Sequence, residues 1–231
     1  MENHAPVIVR EATDLERASF YRKVYSHLAL AILAFIVVET LFIKFIPESV
    51  ISFMLGGKGI WLLILGLFWL GSTLSNRLVF NPSREKQYLG LGVYVIIEAL
   101  IFLPMIYIAL ILSEDVNLIM EAALLTLFMF GGLTAAVFLT KTDFSFLRTF
   151  IVVGGFVALG IIVVGLLFGF ELGLWFSAAM VILASASILY NTSQIKDQFS
   201  TDQYVGASLQ LFASVMLLFW YILRILMSRR N

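Results

Sequence analysis

The sequence predicts an all-α fold, a polytopic membrane protein built as a bundle of seven transmembrane helices. Hydrophobic residues make up 61% of the 231 residues, charged residues only 13%, and the mean hydropathy is +1.00. Soluble domains are about half apolar and about a quarter charged, so this excess indicates an integral membrane protein. A helix needs about 20 mostly apolar residues to cross the hydrocarbon core. Seven runs meet this requirement: 26–46, 59–76, 88–113, 118–140, 146–169, 171–190 and 204–227.

The same runs predict how the chain is divided. Residues 1–25 form a cytoplasmic N-terminal tail, residues 26–227 a seven-helix membrane domain, and residues 228–231 a short C-terminal tail. The N-terminal tail mixes charges of both signs and has no apolar core before a small-residue cleavage site, so it is not predicted to be a cleaved signal peptide. Pro104 lies inside the third run, where it is expected to kink the helix.

Lysines and arginines between the runs predict the orientation, because basic residues accumulate on the cytoplasmic side. Most of them lie in the N-terminal tail and in the second, fourth and sixth loops: Arg10, Arg17, Arg22, Lys23, Arg77, Arg84, Lys86, Lys141, Arg148 and Lys196. The other side has Lys44 and Lys58, so the N-terminus is predicted to be cytoplasmic. Seven crossings then place the basic residues of "LRILMSRRN" outside. Either the last helix tolerates an outer basic tail or one run is re-entrant, and seven spans are preferred.

Several classes of function are excluded by the residues that the chain lacks. It has no cysteine, which excludes disulfides, thiolate catalysis and cysteine-based metal sites. His4 and His27 are too few for a zinc site made of several histidines. The aspartates map to loops or helix ends, and no Gly-x-Ser-x-Gly motif or serine–histidine pair is visible. The sequence therefore predicts neither an enzyme nor a bound cofactor.

Glu98 is the first candidate functional residue, because it lies within the apolar stretch "YVIIEALIFLPM". A charge near the centre of the bilayer is costly, so such a residue faces the bundle interior, takes a partner or holds its proton. Two interpretations stay open. Glu98 is either a proton-sensitive polar point on an ion path or a protonated acid that joins two helices by a hydrogen bond.

Glu39 is the second candidate, about two turns from the predicted outer end of its helix. Its carboxyl group could reach the interface or meet Lys44, so a structural role is favoured. Glu121, Glu171 and Arg224 are expected to lie near the interface.

Two segments near helix ends are more specific than composition. "FLTKTDFSFLRTF" joins the fourth and fifth runs, and Thr142 or Asp143 is predicted to cap the fifth helix, with Ser145 near its first turn. "ASILYNTSQIKDQFSTDQYVGASLQLF" closes the sixth run with amides and hydroxyls before the seventh.

These segments, in this order among seven spans, resemble the Bax inhibitor family, also called the transmembrane Bax inhibitor motif family, and most strongly its bacterial YccA-like branch. "TKTDFSFL" and "SILYNTSQI" carry the resemblance, "FLPMIYIA" is a weaker third element, and the similarity extends over about residues 20–227. The resemblance implies a seven-helix bundle with the last helix near its centre. It also implies a pH-sensitive calcium leak channel, a suppressor of cell death in eukaryotes, or a bacterial modulator of an FtsH-type membrane protease.

The leak mechanism that the resemblance implies uses two aspartates, one near the end of the sixth helix and one in the seventh. Close carboxylates titrate as a coupled pair, which gives a pH-sensitive latch. In this sequence Asn191 stands at the first position and Phe212 or a neighbour at the second, and no acid lies between Gly206 and Leu223. The two-aspartate latch is therefore predicted to be absent. Asn191 keeps the ability to form hydrogen bonds or to offer its carbonyl to a cation.

Two hypotheses follow. In the first, Glu98, alone or with Glu39, supplies the buried titratable group of a cation (calcium) leak or of a modulator of membrane homeostasis. In the second, the protein does not conduct and acts as an interaction protein that modulates an FtsH-type membrane protease. The predicted partners are the lipid bilayer and, under the respective hypothesis, calcium or the protease, but no nucleic acid. The predicted location is a bacterial inner membrane.

Overall fold

The computed structural model describes residues 7–112, 117–140, 142–170 and 172–229, and this part of the chain folds into a helical bundle. Its α-helices are α1 (Asp14–Phe45), α2 (Glu48–Leu55), α3 (Lys58–Val79), α4 (Arg84–Tyr107), α5 (Asn117–Leu139), α6 (Leu147–Phe168), α7 (Leu174–Asp197) and α8 (Tyr204–Ser228). Seven of them, all except the short α2, are long and apolar enough to cross a membrane. The predicted seven-span all-α fold is therefore confirmed.

The first helix begins twelve residues before the predicted run, because a capping box starts it. The Glu16 amide donates to the Thr13 hydroxyl, and the Thr13 amide donates to the Glu16 carboxylate at 3.0 Å. These bonds satisfy amides that the first turn leaves without helical partners. Much of the predicted tail at 1–25 is thus helical, and residues 1–6 of that tail lie outside the described residues.

The third span continues through Pro104 to Tyr107 and then widens into a π-helical turn, Ile108–Leu112. Proline lacks an amide hydrogen, and a π turn is one way in which neighbouring residues can be paired again. Three other boundaries also differ from the prediction or go beyond the described residues. The sixth span runs seven residues past its predicted end, to Asp197. Position 113 at the predicted end of the third run and position 171 at the predicted start of the sixth are not among the described residues, nor are the loop or tail residues Lys141 and Arg230.

Helix α8 occupies the centre of the bundle, as the family resemblance implied. It packs against α1, α3, α4, α5 and α7. In α4 and in α8, 56% of the apolar 18-residue stretch is buried inside the bundle. In α3 and in α6 the buried share is only 11%. Side chains on the α4 and α8 faces therefore meet protein, whereas most of α3 and α6 is left for lipid.

The N-terminal segment closes one end of the bundle by pairing with the turn between α7 and α8. The Val9 amide donates to the Phe199 carbonyl at 2.9 Å, and the Thr201 amide donates to the Val7 carbonyl at 3.0 Å. Val9 is fully buried there, so this segment is part of the packed structure.

Candidate site of buried acids

Glu98 lies on the face of α4 that packs against the central helix α8. Tyr94, Glu98 and Phe102 follow each other at four-residue spacing, which places them on one side of the helix. The Tyr94 ring meets the Phe212 ring at 6.1 Å between centroids, and the Phe102 ring stacks on the Phe219 ring at 5.8 Å. Glu98 therefore lies between two aromatic contacts that join α4 to α8, one turn from each.

The Glu98 carboxyl group is only partly satisfied by protein. The residue is 6% exposed, and the Tyr94 hydroxyl interacts with its carboxyl group. The Oε2 atom has no hydrogen-bond partner within the described residues. Because a buried carboxylate with an unpaired oxygen is costly, this position favours a proton, a water molecule or a cation at Oε2.

Glu39 is also buried, on the face of α1 that packs into the bundle. It follows Phe35 by one turn, is 5% exposed, and neither carboxyl oxygen has a hydrogen-bond partner among the described groups. The contact with Lys44, one of the two alternatives considered for this carboxyl group, is not formed: Lys44 is exposed and lies over the Phe45 ring, 5.6 Å from its centroid. Residues five apart on an α-helix point in different directions, which explains why the two side chains do not meet.

The structure does not join the two acids to each other. Glu39 and Glu98 share no hydrogen bond, since both oxygens of Glu39 and Oε2 of Glu98 lack partners in the described part of the chain. They lie on neighbouring helices that pack together, α1 and α4. Each is therefore a separate polar point in the bundle.

Asn191 joins α7 to α8 through its side-chain amide. It donates to the Ser214 hydroxyl at 2.8 Å and to the Gln210 carbonyl at 3.2 Å. Asn191 thus meets Ser214 and Gln210 of α8. Phe212 is fully buried and faces the other way, with its ring against those of Phe35 and Tyr94. The amide and the hydroxyl form a neutral bridge between helices, with no titratable group at this contact.

The loop before α6 is organised by Asp143, but not as a helix cap. The Asp143 Oδ1 atom accepts from the Ser145 amide at 2.9 Å, which makes a local turn. Hydrogen bonds from Ser145 hold the pKa of Asp143 below its usual range. The predicted cap by Thr142 or Asp143 is wrong, because α6 starts later, at Leu147, and its N-cap residue Phe146 has no side chain that could accept a bond. Thr142 itself is exposed.

This loop and the end of α7, the two segments singled out in the sequence, lie together. The Gln194 side-chain amide donates to the Ser145 hydroxyl at 3.4 Å, and the Phe144 backbone amide donates to the Ser193 hydroxyl at 3.5 Å. Lys196 adds a stronger link, since its Nζ atom donates to the carbonyls of Val137 and Thr140 at 3.1 and 3.2 Å. A cation at these last carbonyls stabilises the end of α5.

Sequence patterns alone missed three of these contributors. Tyr94 lies four positions before Glu98 on the same helix face, a local spacing that could have identified it. Ser214 and Lys196 make contacts across 23 or more positions of sequence, which no local pattern reports. No three histidine, aspartate or glutamate side chains form a possible metal site in the ranges that the structure describes.

Comparison with known proteins agrees with this architecture. The sequence model described as "Inhibitor of apoptosis-promoting Bax1" matches residues 17–231. An uncharacterised protein of Pseudomonas aeruginosa is 38% identical over 123 residues, which span 53% of this chain and 55% of that protein. Protein lifeguard 4 of Mus musculus is 28% identical over 91% of this chain and 85% of its own length. Bax inhibitor 1 of Schizosaccharomyces pombe is 29% identical over 96% of this chain and 81% of its own length. The protein belongs to the Bax inhibitor family and is a multi-pass membrane protein.

Proposed function

We propose that this protein is a cation leak pathway, with calcium among the permeating ions, and that Glu98 is the acid that controls it. The observation that carries the proposal is the position of Glu98: 6% exposed, on the face toward the central helix, with Oε2 unpaired in the described residues. Acids inside membrane bundles commonly mark ion or proton paths.

The two states of the Glu98 carboxyl group give the proposed mechanism its pH dependence. When ionised, the carboxylate attracts a cation into a region of low dielectric, where an unpaired charge is otherwise expensive. When protonated, the carboxyl group is neutral and attracts a cation much less strongly. Cation flux is therefore expected to rise with pH as Glu98 ionises.

The aromatic contacts on both sides of Glu98 supply the proposed gates. Tyr94 with Phe212, and Phe102 with Phe219, close the α4–α8 interface one turn before and one turn after the acid. Conduction would require these rings to move apart, and rings at a helix interface can act as a hydrophobic constriction. The hydrogen bond between neutral Asn191 and Ser214 would keep α7 attached to α8, on the side away from α4, while these rings move.

We also propose a bacterial inner membrane as the location, a cytoplasmic N-terminus and membership of the YccA-like branch. Similarity to a Pseudomonas aeruginosa protein supports the bacterial setting. The excess of basic residues in the N-terminal segment and in the even-numbered loops supports the orientation. A non-enzymatic role is proposed because the chain has no cysteine and two histidines.

Flux into liposomes loaded with a calcium indicator tests the proposal. Wild-type protein is expected to give a leak at about pH 8 that Glu98→Gln lowers, because the amide cannot ionise. Glu85→Gln is the matched control, because it makes the same chemical substitution on the same helix, at an exposed position. Wild-type flux no greater than that of empty liposomes would reject the proposal.

A non-conducting interaction protein that modulates an FtsH-type membrane protease is the second candidate. The observation that favours it is the closed α4–α8 interface. Phe212, which stands at or beside the position that the family resemblance assigns to an aspartate of the seventh helix, is fully buried there. Under this alternative, liposomes show no leak, and the protein captures purified FtsH-type protease from detergent and changes its rate of substrate degradation.

A further inference from the structure

An apolar groove runs between α1 and α4 on the outside of the bundle. Its volume is about 530 Å³, and its walls include Leu30, Ala34, Val38, Leu91, Val95 and Ile96. Gly92 opens the α4 wall, because a Cβ atom built there would meet nothing within 4 Å. The groove therefore offers a mostly apolar surface of the kind that an acyl chain requires.

One end of this groove is polar and ordered by hydrogen bonds. His27 Nδ1 lies 2.7 Å from the Lys23 carbonyl, so this nitrogen carries a proton and donates. His27 Nε2 lies 3.1 Å from the Tyr88 hydroxyl, which in turn lies 3.4 Å from the Tyr204 hydroxyl. We call His27, Tyr88 and Tyr204, with Lys23 and Arg84 beside them, the polar end of the groove.

Two cations flank the Tyr204 ring at this polar end. Lys23 Nζ lies 5.2 Å and the Arg84 guanidinium carbon 4.5 Å from the ring centroid. Arg84 also donates to the Gln87 side-chain oxygen and to the Asp202 backbone carbonyl, each at 2.7 Å. These neutral acceptors hold the guanidinium in place without neutralising its charge.

The two positive charges are left available for an anion. No carboxylate of the described residues lies within 4.0 Å of Lys23 or Arg84 in an ion pair. Both side chains are exposed, and the Tyr88 side chain beside them is 46% exposed. An apolar groove that ends at two unpaired cations and a set of hydroxyl and imidazole groups complements a molecule with a long apolar tail and an anionic head.

We propose that the α1–α4 groove binds one anionic phospholipid, with an acyl chain along Leu30 to Val38 and the phosphate at the polar end of the groove, where the charges of Lys23 and Arg84 attract it. The hydrogen bonds among His27, Tyr88 and Tyr204 would hold these rings beside the head group. The aromatic rings are of the kind found at the membrane–water interface, where this head group would lie. The site does not depend on conduction, since Glu98 faces α8 and the groove faces lipid.

Native mass spectrometry of the full-length protein in detergent tests the site. The probe is an equimolar mixture of phosphatidylglycerol and phosphatidylcholine with identical acyl chains. Wild-type protein is expected to retain one phosphatidylglycerol in preference to phosphatidylcholine. Because each basic residue near an anionic surface contributes about fivefold in affinity, removal of both charges is expected to lower the preference by about 25-fold.

Two variants separate the head-group contacts from the groove. Lys23→Gln with Arg84→Gln is expected to abolish the preference, whereas Lys44→Gln with Arg148→Gln, which removes two exposed cations elsewhere, keeps it. Gly92→Leu fills the groove and is expected to release lipid with both charges intact. Gly160→Leu, at another position with open space for a Cβ atom, is its control.

Four outcomes would overturn the proposal. Wild-type protein that retains the two lipids equally has no anionic lipid site. A Lys23→Gln/Arg84→Gln variant that keeps the preference, or a Gly92→Leu variant that keeps its lipid, would place the bound lipid elsewhere. Soluble glycerol 3-phosphate that binds as tightly as phosphatidylglycerol would show a phosphate site in which the groove plays no part.

Discussion

The Phe35 ring of α1 meets the Phe102 ring of α4 edge to face, with 5.2 Å between centroids. Glu39 follows Phe35 by one turn, and Glu98 precedes Phe102 by one turn. The contact between His27 and Tyr88 nearer the helix starts shows that α1 and α4 run in the same direction. The two acids therefore lie on opposite sides of this aromatic contact along the bundle, and they can be changed one at a time.

The first prediction concerns Glu39, whose replacement is expected to change stability and to leave calcium flux unchanged. Glu39→Leu is expected to raise the free energy of unfolding by about 1–3 kcal/mol, because it removes two buried oxygens that have no hydrogen-bond partner in the described structure. Thermal unfolding followed by circular dichroism in detergent measures the change. Calcium flux should stay at the wild-type level, and a loss of flux would instead assign Glu39 to the ion path.

The second prediction concerns the bridge between α7 and α8. Asn191→Ala is expected to lower the free energy of unfolding by about 0.6–1.7 kcal/mol, between the average and the largest value measured for hydrogen bonds between membrane helices. It removes the bonds to Ser214 and Gln210 at the centre of the bundle. Unfolding in increasing sodium dodecyl sulfate measures the loss, with exposed Thr142→Ala as the control. Equal stabilities of the two variants would mean that the bridge does not hold α7 on α8.

The third prediction uses two glycines of α4 that lie two residues apart. A Cβ atom on Gly90 would come within 2.9 Å of the Ser75 carbonyl and 2.7 Å of Leu78 Cβ, whereas a Cβ atom on Gly92 meets nothing within 4 Å. Gly90→Ala is therefore expected to cost about 1–3 kcal/mol by overpacking α3 against α4. Gly92→Ala should stabilise by up to about 1 kcal/mol through helix propensity. Thermal unfolding of both variants measures the two changes. If Gly92→Ala destabilised the protein and Gly90→Ala did not, the result would contradict the packing of α3 on α4.

The fourth prediction concerns acid and the loop before α6. The pKa of Asp143 is lowered in the folded state by its bonds to Ser145, so its contribution to stability is fully present above its ordinary value of 3.8. That contribution is lost as the pH falls through the lower, folded-state pKa. Once the pH is below this lowered pKa, the Ser145 amide should therefore exchange its hydrogen faster than its neighbours, relative to the intrinsic exchange rate. In Asp143→Ala, fast exchange is expected already at neutral pH, and unchanged protection in this variant would show that Asp143 does not hold the turn.

The sequence was a good guide to the number of spans, because hydrocarbon imposes long apolar runs. It was a poorer guide to where helices start and end. The capping box of Thr13 and Glu16 was legible in the sequence and would have placed the start of α1 correctly. The short helix α2 is shorter than a membrane span and the π turn at Ile108–Leu112 follows Pro104 within one span, so a count of apolar runs identifies neither.

The site was harder to predict than the fold. Glu98, Glu39 and Asn191 could be singled out because polar residues in apolar runs are conspicuous. Their surroundings could not: the sequence does not show that Asn191 meets Ser214, or that Glu39 lies apart from Lys44. These contacts depend on which faces of α1, α7 and α8 turn inward, and a helix of mostly apolar residues does not reveal this through its amphipathic pattern.

The ratio of calcium flux at about pH 8 to flux at about pH 6, in liposomes containing wild-type or Glu98→Gln protein, tests the central claim most directly. If ionisation of Glu98 controls a cation leak, the ratio exceeds one for wild type and falls to about one for Glu98→Gln, with Glu85→Gln like wild type. A Glu98→Gln protein that leaks as much as wild type, with the same pH ratio, would contradict the role assigned to Glu98.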